Sequence, residues 1–154
     1  MRAFDATDLA ILRALQQDAR QSMAELAEKV ALSQSPCWRR VKQLEEAGVI
    51  VGYSAQLHRD KLGFGVTGFV HLQMASHAQE LTSAFEREVV ALPQVLACHN
   101  LSGHYDYMLE LIAPDLQSFS DLVRSKIRAL PGVKEISTSF SLKQIKQTQE
   151  LPLK

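Results

Sequence analysis

The sequence predicts an α+β chain: an N-terminal three-helix helix-turn-helix domain of winged-helix-like type, then a βαββαβ domain of the ferredoxin-like class. Three observations carry that prediction. Apolar residues recur at helical spacing from Asp5 to Gly48; from Val66 to Leu142 the period changes to short alternating runs interleaved with two helical ones. A block in the second part occurs twice, as Ala91-Leu92-Pro93-Gln94-Val95 and as Ala129-Leu130-Pro131-Gly132-Val133. Between the two parts, Tyr53 to Gly65 contains His58, Arg59, Asp60, Gly63 and Gly65, a composition suited to a linker. The expected division is a helical domain over 1–52, a linker over 53–65 and the ferredoxin-like domain over 66–154.

The first helix follows from Leu9, Leu12 and Leu15 with Ile11 beside them, capped by Asp5 or Thr7. Ser22 opens a second, short helix, with Glu25 as its capping-box partner and Leu26, Ala27 and Val30 facing inward. Ala31-Leu32-Ser33 is a tight turn. Ser33 or Ser35 caps a third helix that carries Pro36 in its first turn, where a missing amide costs little. Cys37, Val41 and Leu44 make its buried stripe and leave Gln34, Ser35, Trp38, Arg39, Lys42 and Gln43 pointing largely outward. Gly48 ends it, and Val49-Ile50-Val51 is expected to begin a strand.

In the second part the repeat maps Leu81, Phe85 and Val89 onto Phe119, Val123 and Ile127, so each copy is an amphipathic helix leading into a strand. Phe69 to Met74 and Tyr105 to Ile112 alternate as half-buried strands do, and Ser102-Gly103-His104 turns a hairpin between the halves. With right-handed crossovers this order gives a four-stranded antiparallel sheet with both helices on one face. The other face is expected to expose Val and Leu side chains and to be covered by a second subunit.

With 154 residues, 46% of them hydrophobic, the chain can build two such cores. Seventeen basic residues balance seventeen acidic ones, so any polyanionic partner must be gripped by a local patch. Two distant cysteines, Cys37 and Cys98, exclude a disulfide scaffold and leave a four-ligand zinc site without its thiolates. Asp5 and Asp8 stand where a signal peptide needs an apolar core, and no run approaches the roughly 20 apolar residues that span a bilayer. A cytoplasmic protein without a membrane partner is expected.

Two helices joined by a tight turn, the second opening on small polar residues and carrying Arg39, Arg40 and Lys42, match a DNA-binding helix-turn-helix. The candidate contacts to double-stranded DNA are Ser33, Gln34, Ser35, Pro36, Trp38, Arg39, Arg40 and Lys42. The helix N-terminus favours phosphate, arginine can fork onto a guanine edge, and an outward tryptophan wants a thymine methyl or a sugar. Glu45 and Glu46 confine the patch to the first half of the helix. Three cations per subunit, in a dimer that neutralises roughly six phosphates, give a log-log salt slope near −5.

Other chemistries find less support. His99, His104, Asp106 and Cys98 crowd one hairpin, but alternation sends His99 and Cys98 to opposite faces and no helical pair or CxxC joins them, so no metal is expected. There is no glycine-rich phosphate loop and no defensible Ser-His-Asp order, so neither catalysis nor a cofactor is expected. Two further classes remain as alternatives: an architectural DNA-binding protein that needs no effector, and a small ferredoxin-like enzyme. Zero net charge weighs against the former. An enzyme would not need the helical part.

Leu26-Ala27-Glu28, Val30, Leu32-Ser33, Ser35-Pro36-Cys37, Arg39-Arg40-Val41, Leu44-Glu45 and Gly48-Val49-Ile50 together resemble the leucine-responsive/asparagine (Lrp/AsnC, feast/famine) regulator family. The resemblance covers nearly the whole chain. The second part is similar to that family's amino-acid-binding RAM domain, and Ser102-Gly103-His104-Tyr105-Asp106-Tyr107 resembles its Gly-x-x-Asp-Tyr effector loop. The closing run Ser139-Phe140, Gln144-Ile145-Lys146 and Leu151-Pro152-Leu153 resembles the branch that regulates cysteine, proline and branched-chain amino-acid use. The resemblance implies a transcriptional regulator, nucleoid-associated, that forms dimers and then octamers or higher arrays and answers to a free amino acid. It implies effector contacts at Leu101, Ser102, Gly103, His104, Tyr105 and Asp106, with Thr138 and Ser139 of the last strand completing the pocket. A zwitterion needs an acceptor and donors; Asp106 can supply the first and the amides around Gly103 the second. Relatives usually carry an acid where this sequence has His104, a departure that bears on which amino acid is bound.

Overall fold

The computed structural model describes residues 4–154. The chain divides into two compact units: residues up to Gln56 together with Lys146–Lys154, and Leu57–Ile145.

The first unit holds α1 (Ala6–Gln17), α2 (Met23–Lys29) and α3 (Gln34–Glu46). Asp5 caps α1, its carboxylate accepting from the Asp8 amide at 2.8 Å. Ser22 and Glu25 close a full capping box on α2. Ser33 occupies the N-cap of α3 with extended backbone, but neither its hydroxyl nor that of Ser35 makes the expected cap; Pro36 lies in the first turn. Ile11, Leu26, Ala27, Cys37, Val41 and Leu44 form the core, with Ile50 packed against it. Gly48 leaves α3 at φ 68, a left-handed conformation glycine takes without strain. Val49-Ile50-Val51 does not begin a strand here. The Val49 and Ile50 amides donate to the Leu44 carbonyl, and among the described residues no neighbouring strand offers the stretch a ladder.

The last residues join this unit as well. Arg13 donates through Nε and Nη2 to the Leu153 carbonyl, while the Gln16 side chain both donates to the Leu151 carbonyl and accepts its amide. One glutamine amide thus pairs with the backbone as a strand neighbour does. Those bonds put Lys146–Lys154 with the helices in the first compact unit.

The second unit is β1 (Val66–Met74), α4 (Gln79–Val90), β2 (Val95–Asn100), β3 (Tyr107–Ala113), α5 (Leu116–Leu122) and β4 (Val133–Phe140). α5 runs into a π-turn over Val123–Ile127, so the two repeats end their helices differently. The sheet is antiparallel in the order β2-β3-β1-β4. Val70, Leu72 and Met74 of β1 and Tyr107, Leu109 and Leu111 of β3 face Phe85, Val89, Phe119 and Ile127 of the helical layer, and each large side chain contributes about 1.5–3 kcal/mol by leaving water. Tyr105 falls outside the ladder, which starts at Tyr107.

The opposite sheet face differs from the expected Val and Leu surface. Alternation and register place Thr67, Phe69, His71 and Gln73 of β1 there, against Ile112, Glu110 and Met108 of β3. Arg59 donates to Glu110 at 2.9 Å and so ties the residues before β1 to this face.

Gly68 is required by packing: a Cβ there would overlap the Phe119 ring, which also meets Phe140 edge-on at 5.0 Å. Gly68→Ala is expected to lower unfolding free energy by about 1–3 kcal/mol, and Phe119→Leu in the same chain to recover part of it in urea titrations.

Carboxylates held below their usual range, Asp121 beside Gln117 and Arg124 among them, give the fold an acid limit. Asp5 lies below the usual carboxylate range through the Asp8 amide and then Arg40, Glu25 through the Ser22 amide, and Asp115 through the Ser118 amide. A depressed folded pKa contributes stability that is complete above the unfolded value and disappears as pH falls through the folded one. The urea midpoint is therefore expected to be flat from pH 7 to about 5 and to decline below about 4.

Candidate nucleic-acid interface and ligand hairpin

The 3.6-residue period sorts α3 into two sides. Cys37, Val41 and Leu44 are buried, while Gln34, Ser35, Trp38, Arg39 and Lys42 are exposed with Ser33 just before them. Trp38 is 51% exposed, too large an apolar surface to leave in water without use. The Lys42 ammonium stands 5.1 Å from its ring centroid, a cation–π contact that fixes both side chains. A shallow groove lined by Met23, Gln34, Ser35, Trp38 and Arg39 runs past the helix tip. On the other flank Tyr53 donates to Glu45 at 2.8 Å, and burial, then that carboxylate, push its phenol up to about 12.

Arg40 is the exception among the basic residues. Its Nη1 reaches Asp5 at 2.7 Å and Asp8 at 2.8 Å, and Asp8 is only 2% exposed. These bonds hold its charge firmly and turn it toward α1, away from the Trp38–Arg39 face. Asp5 and Asp8 lie 35 and 32 residues before Arg40, so no local sequence pattern pairs them.

Between β2 and β3, Leu101, Ser102, Gly103 and His104 form an exposed turn, with Gly103 at φ 141, where a side chain would be strained. Tyr105 and Asp106 follow, half-buried. Tyr105 lies 5.2 Å from His71 and 4.7 Å from His104, ring centre to ring centre. Asp106 is anchored four ways: its amide donates to Leu72, its carbonyl accepts from the Leu101 amide and from Asn100 Nδ2, and its Oδ2 takes the Met74 amide at 2.7 Å. That amide lies on the β3 side of β1, as Leu72 does, just beyond the last ladder pair Leu72–Tyr107, so the carboxylate stands where a strand neighbour would. The remaining oxygen, Oδ1, faces His77 Nε2 at 3.6 Å. His77, the Met74 amide and Gln73, whose side chain donates to the His104 carbonyl, are members of this cluster that sequence reading missed. They belong to the end of β1 and the loop after it, which the β1–β3 pairing, invisible to periodicity, sets beside the hairpin.

Thr138 and Ser139 do not join it within one chain. They pair with Val70 and Phe69, toward the far end of β1 from Met74, and as consecutive strand residues they face opposite sides of the sheet. Burial pushes both thiols up, at Cys98 with help from Glu86, which disfavours thiolate chemistry. Among the described residues, no three His, Cys, Asp or Glu side chains are grouped to hold a metal, and no helix is long and apolar enough to cross a membrane.

Comparison with known proteins gives one answer for both units. Residues 4–51 match a winged helix-turn-helix DNA-binding model, and residues 67–151 match the Lrp/AsnC ligand-binding domain. The chain is 35% identical over 149 residues to the DNA-binding transcriptional activator DecR of Escherichia coli, covering 97% of this chain and 98% of that protein. It is 37% identical over 153 residues to the Bkd operon transcriptional regulator of Pseudomonas aeruginosa, covering 99% and 100%. A transcriptional regulator of Neisseria meningitidis, solved as its L-methionine complex, superposes with a TM-score of 0.93 at 39% identity, covering 98% of this chain and 97% of that one. A winged DNA-binding unit followed by a ligand-binding α+β unit, matched along nearly its full length by regulators of this kind, makes the chain a member of the Lrp/AsnC family of DNA-binding transcriptional regulators.

Proposed function

We propose that this regulator reads its operator with the tip and exposed face of α3 and is switched by a free amino acid held at the 101–106 hairpin. Gln34, Ser35, Trp38, Arg39 and Lys42 enter the major groove, with Ser33 and Pro36 at the phosphate backbone. The segregation of Trp38 and Arg39 from Arg40 carries this reading, because it leaves one exposed face with a forked donor, an apolar plate and a helix N-terminus. Leu101 to Asp106 form the ligand site; Thr138 and Ser139 contribute to it from another subunit. Phe69 and Met108, half-buried on the open sheet face, support self-association into a homodimer and larger arrays. The protein works by binding alone, without catalysis or cofactor, in the cytoplasm where the DNA is.

A fluorescence titration of a duplex from upstream of its own gene, against a scrambled duplex, tests this. With Arg40 engaged by Asp5 and Asp8, a dimer brings about four cations, Arg39 and Lys42 of each subunit, into the groove, where they displace counterions, and the log-log salt slope is expected near −4. Equal affinity for both duplexes would remove sequence reading from the proposal.

A further inference from the structure

We infer that His77 is the second pole of the amino-acid site: Asp106 Oδ1 takes the ligand's ammonium and His77 Nε2 its carboxylate, so only an α-amino acid with both groups free is bound well. The inference rests on the hairpin being the ligand site and names the chemistry it selects.

Asp106 spends its amide, carbonyl and Oδ2 on Leu72, Leu101, Asn100 and Met74, which fixes the carboxylate and leaves Oδ1 directed at His77. At 3.6 Å the imidazole is beyond ordinary N–H···O hydrogen-bond range, and its side chain is 74% exposed against 20% for Asp106. Such a pair contributes little by itself. An acceptor locked in place beside a swinging donor is complementary to two opposite charges separated by a single carbon. The ligand displaces a weak contact and gains two charge-assisted ones. His77 sits after β1 and before α4, while Asp106 precedes β3, so ligand binding cross-links two loops at the same end of the sheet. An amino alcohol or an N-acyl amino acid supplies only one of the two poles, and a peptide carries its two on different α-carbons.

The test is a thermal-shift and calorimetric comparison on the full-length protein with L-methionine and L-leucine as probes, then methioninol, which lacks the carboxylate, and N-acetyl-L-methionine, which lacks the ammonium. The wild type is expected to bind the better probe at least tenfold more tightly than either analogue. His77→Ala is expected to weaken amino-acid binding about tenfold and to erase the preference over methioninol while keeping the preference over the N-acetyl compound. His77→Gln, which retains a side-chain N–H donor, restores most of the loss. If Asp106→Asn abolishes binding but His77→Ala leaves the methioninol ratio unchanged, His77 has no part in carboxylate recognition and the inference falls while the hairpin site stands. If neither probe, nor any of the other common amino acids, shifts the melting point at millimolar concentration, the hairpin reading falls with it.

Discussion

Arg39→Ala is expected to weaken binding to the specific operator by about 1–3 kcal/mol, roughly five- to a hundred-and-fiftyfold, and to relax preference at one base pair. The loss is positional because a guanidinium forked onto a guanine edge discriminates one base, whereas a phosphate contact weakens every sequence alike. Arg40 supplies the internal control. Its guanidinium lies between Asp5 and the buried Asp8, so Arg40→Met removes a cation from a carboxylate inside the helical unit. The expected result is a loss of folding stability of about 1–3 kcal/mol with base preference kept. A base-substitution series on the operator, read by fluorescence anisotropy for both variants, separates the two arginines.

Asp106→Ala is expected to abolish the amino-acid response, with no shift in melting point at ligand concentrations that move the wild type by several degrees. The same change leaves the Met74 amide without its acceptor at the end of β1, so a modest fall in basal stability accompanies it. Asp106→Asn keeps a carbonyl oxygen for Met74 and removes the charge; it is expected to hold the fold and still lose the ligand. DNA affinity of the ligand-free form stays near wild type in both, since an effector acts only through its differential affinity for two states.

Local rules made much of this molecule readable in advance. The capping box at Ser22 and Glu25, the Gly48 terminator, the buried stripe of α3 and the duplicated Leu-Pro step each depend on residues close in sequence, and each lies where periodicity put it. What escaped depends on residues far apart. Arg40 looked like a third DNA cation because nothing near it in sequence claims it; Asp5 and Asp8 do so from α1. The Val49–Val51 strand failed because a strand needs a ladder partner, and the following residues of this chain provide none. His77 and Met74 reach Asp106 only through the pairing of β1 with β3, and Gln16 and Arg13 hold the tail by side chains that no hydropathy pattern marks. Thr138 and Ser139 alternate across the sheet, so one chain cannot aim both at the hairpin.

The position of α3 on DNA is open to direct measurement by photocrosslinking the protein to an operator carrying 5-iodouracil at successive thymines. Peptide mapping is expected to find the adduct at Trp38 or within Gln34 to Lys42, at a thymine whose substitution also weakens binding. Crosslinks that map only outside that helix, or that form equally well on a scrambled duplex, would show that α3 does not read the groove.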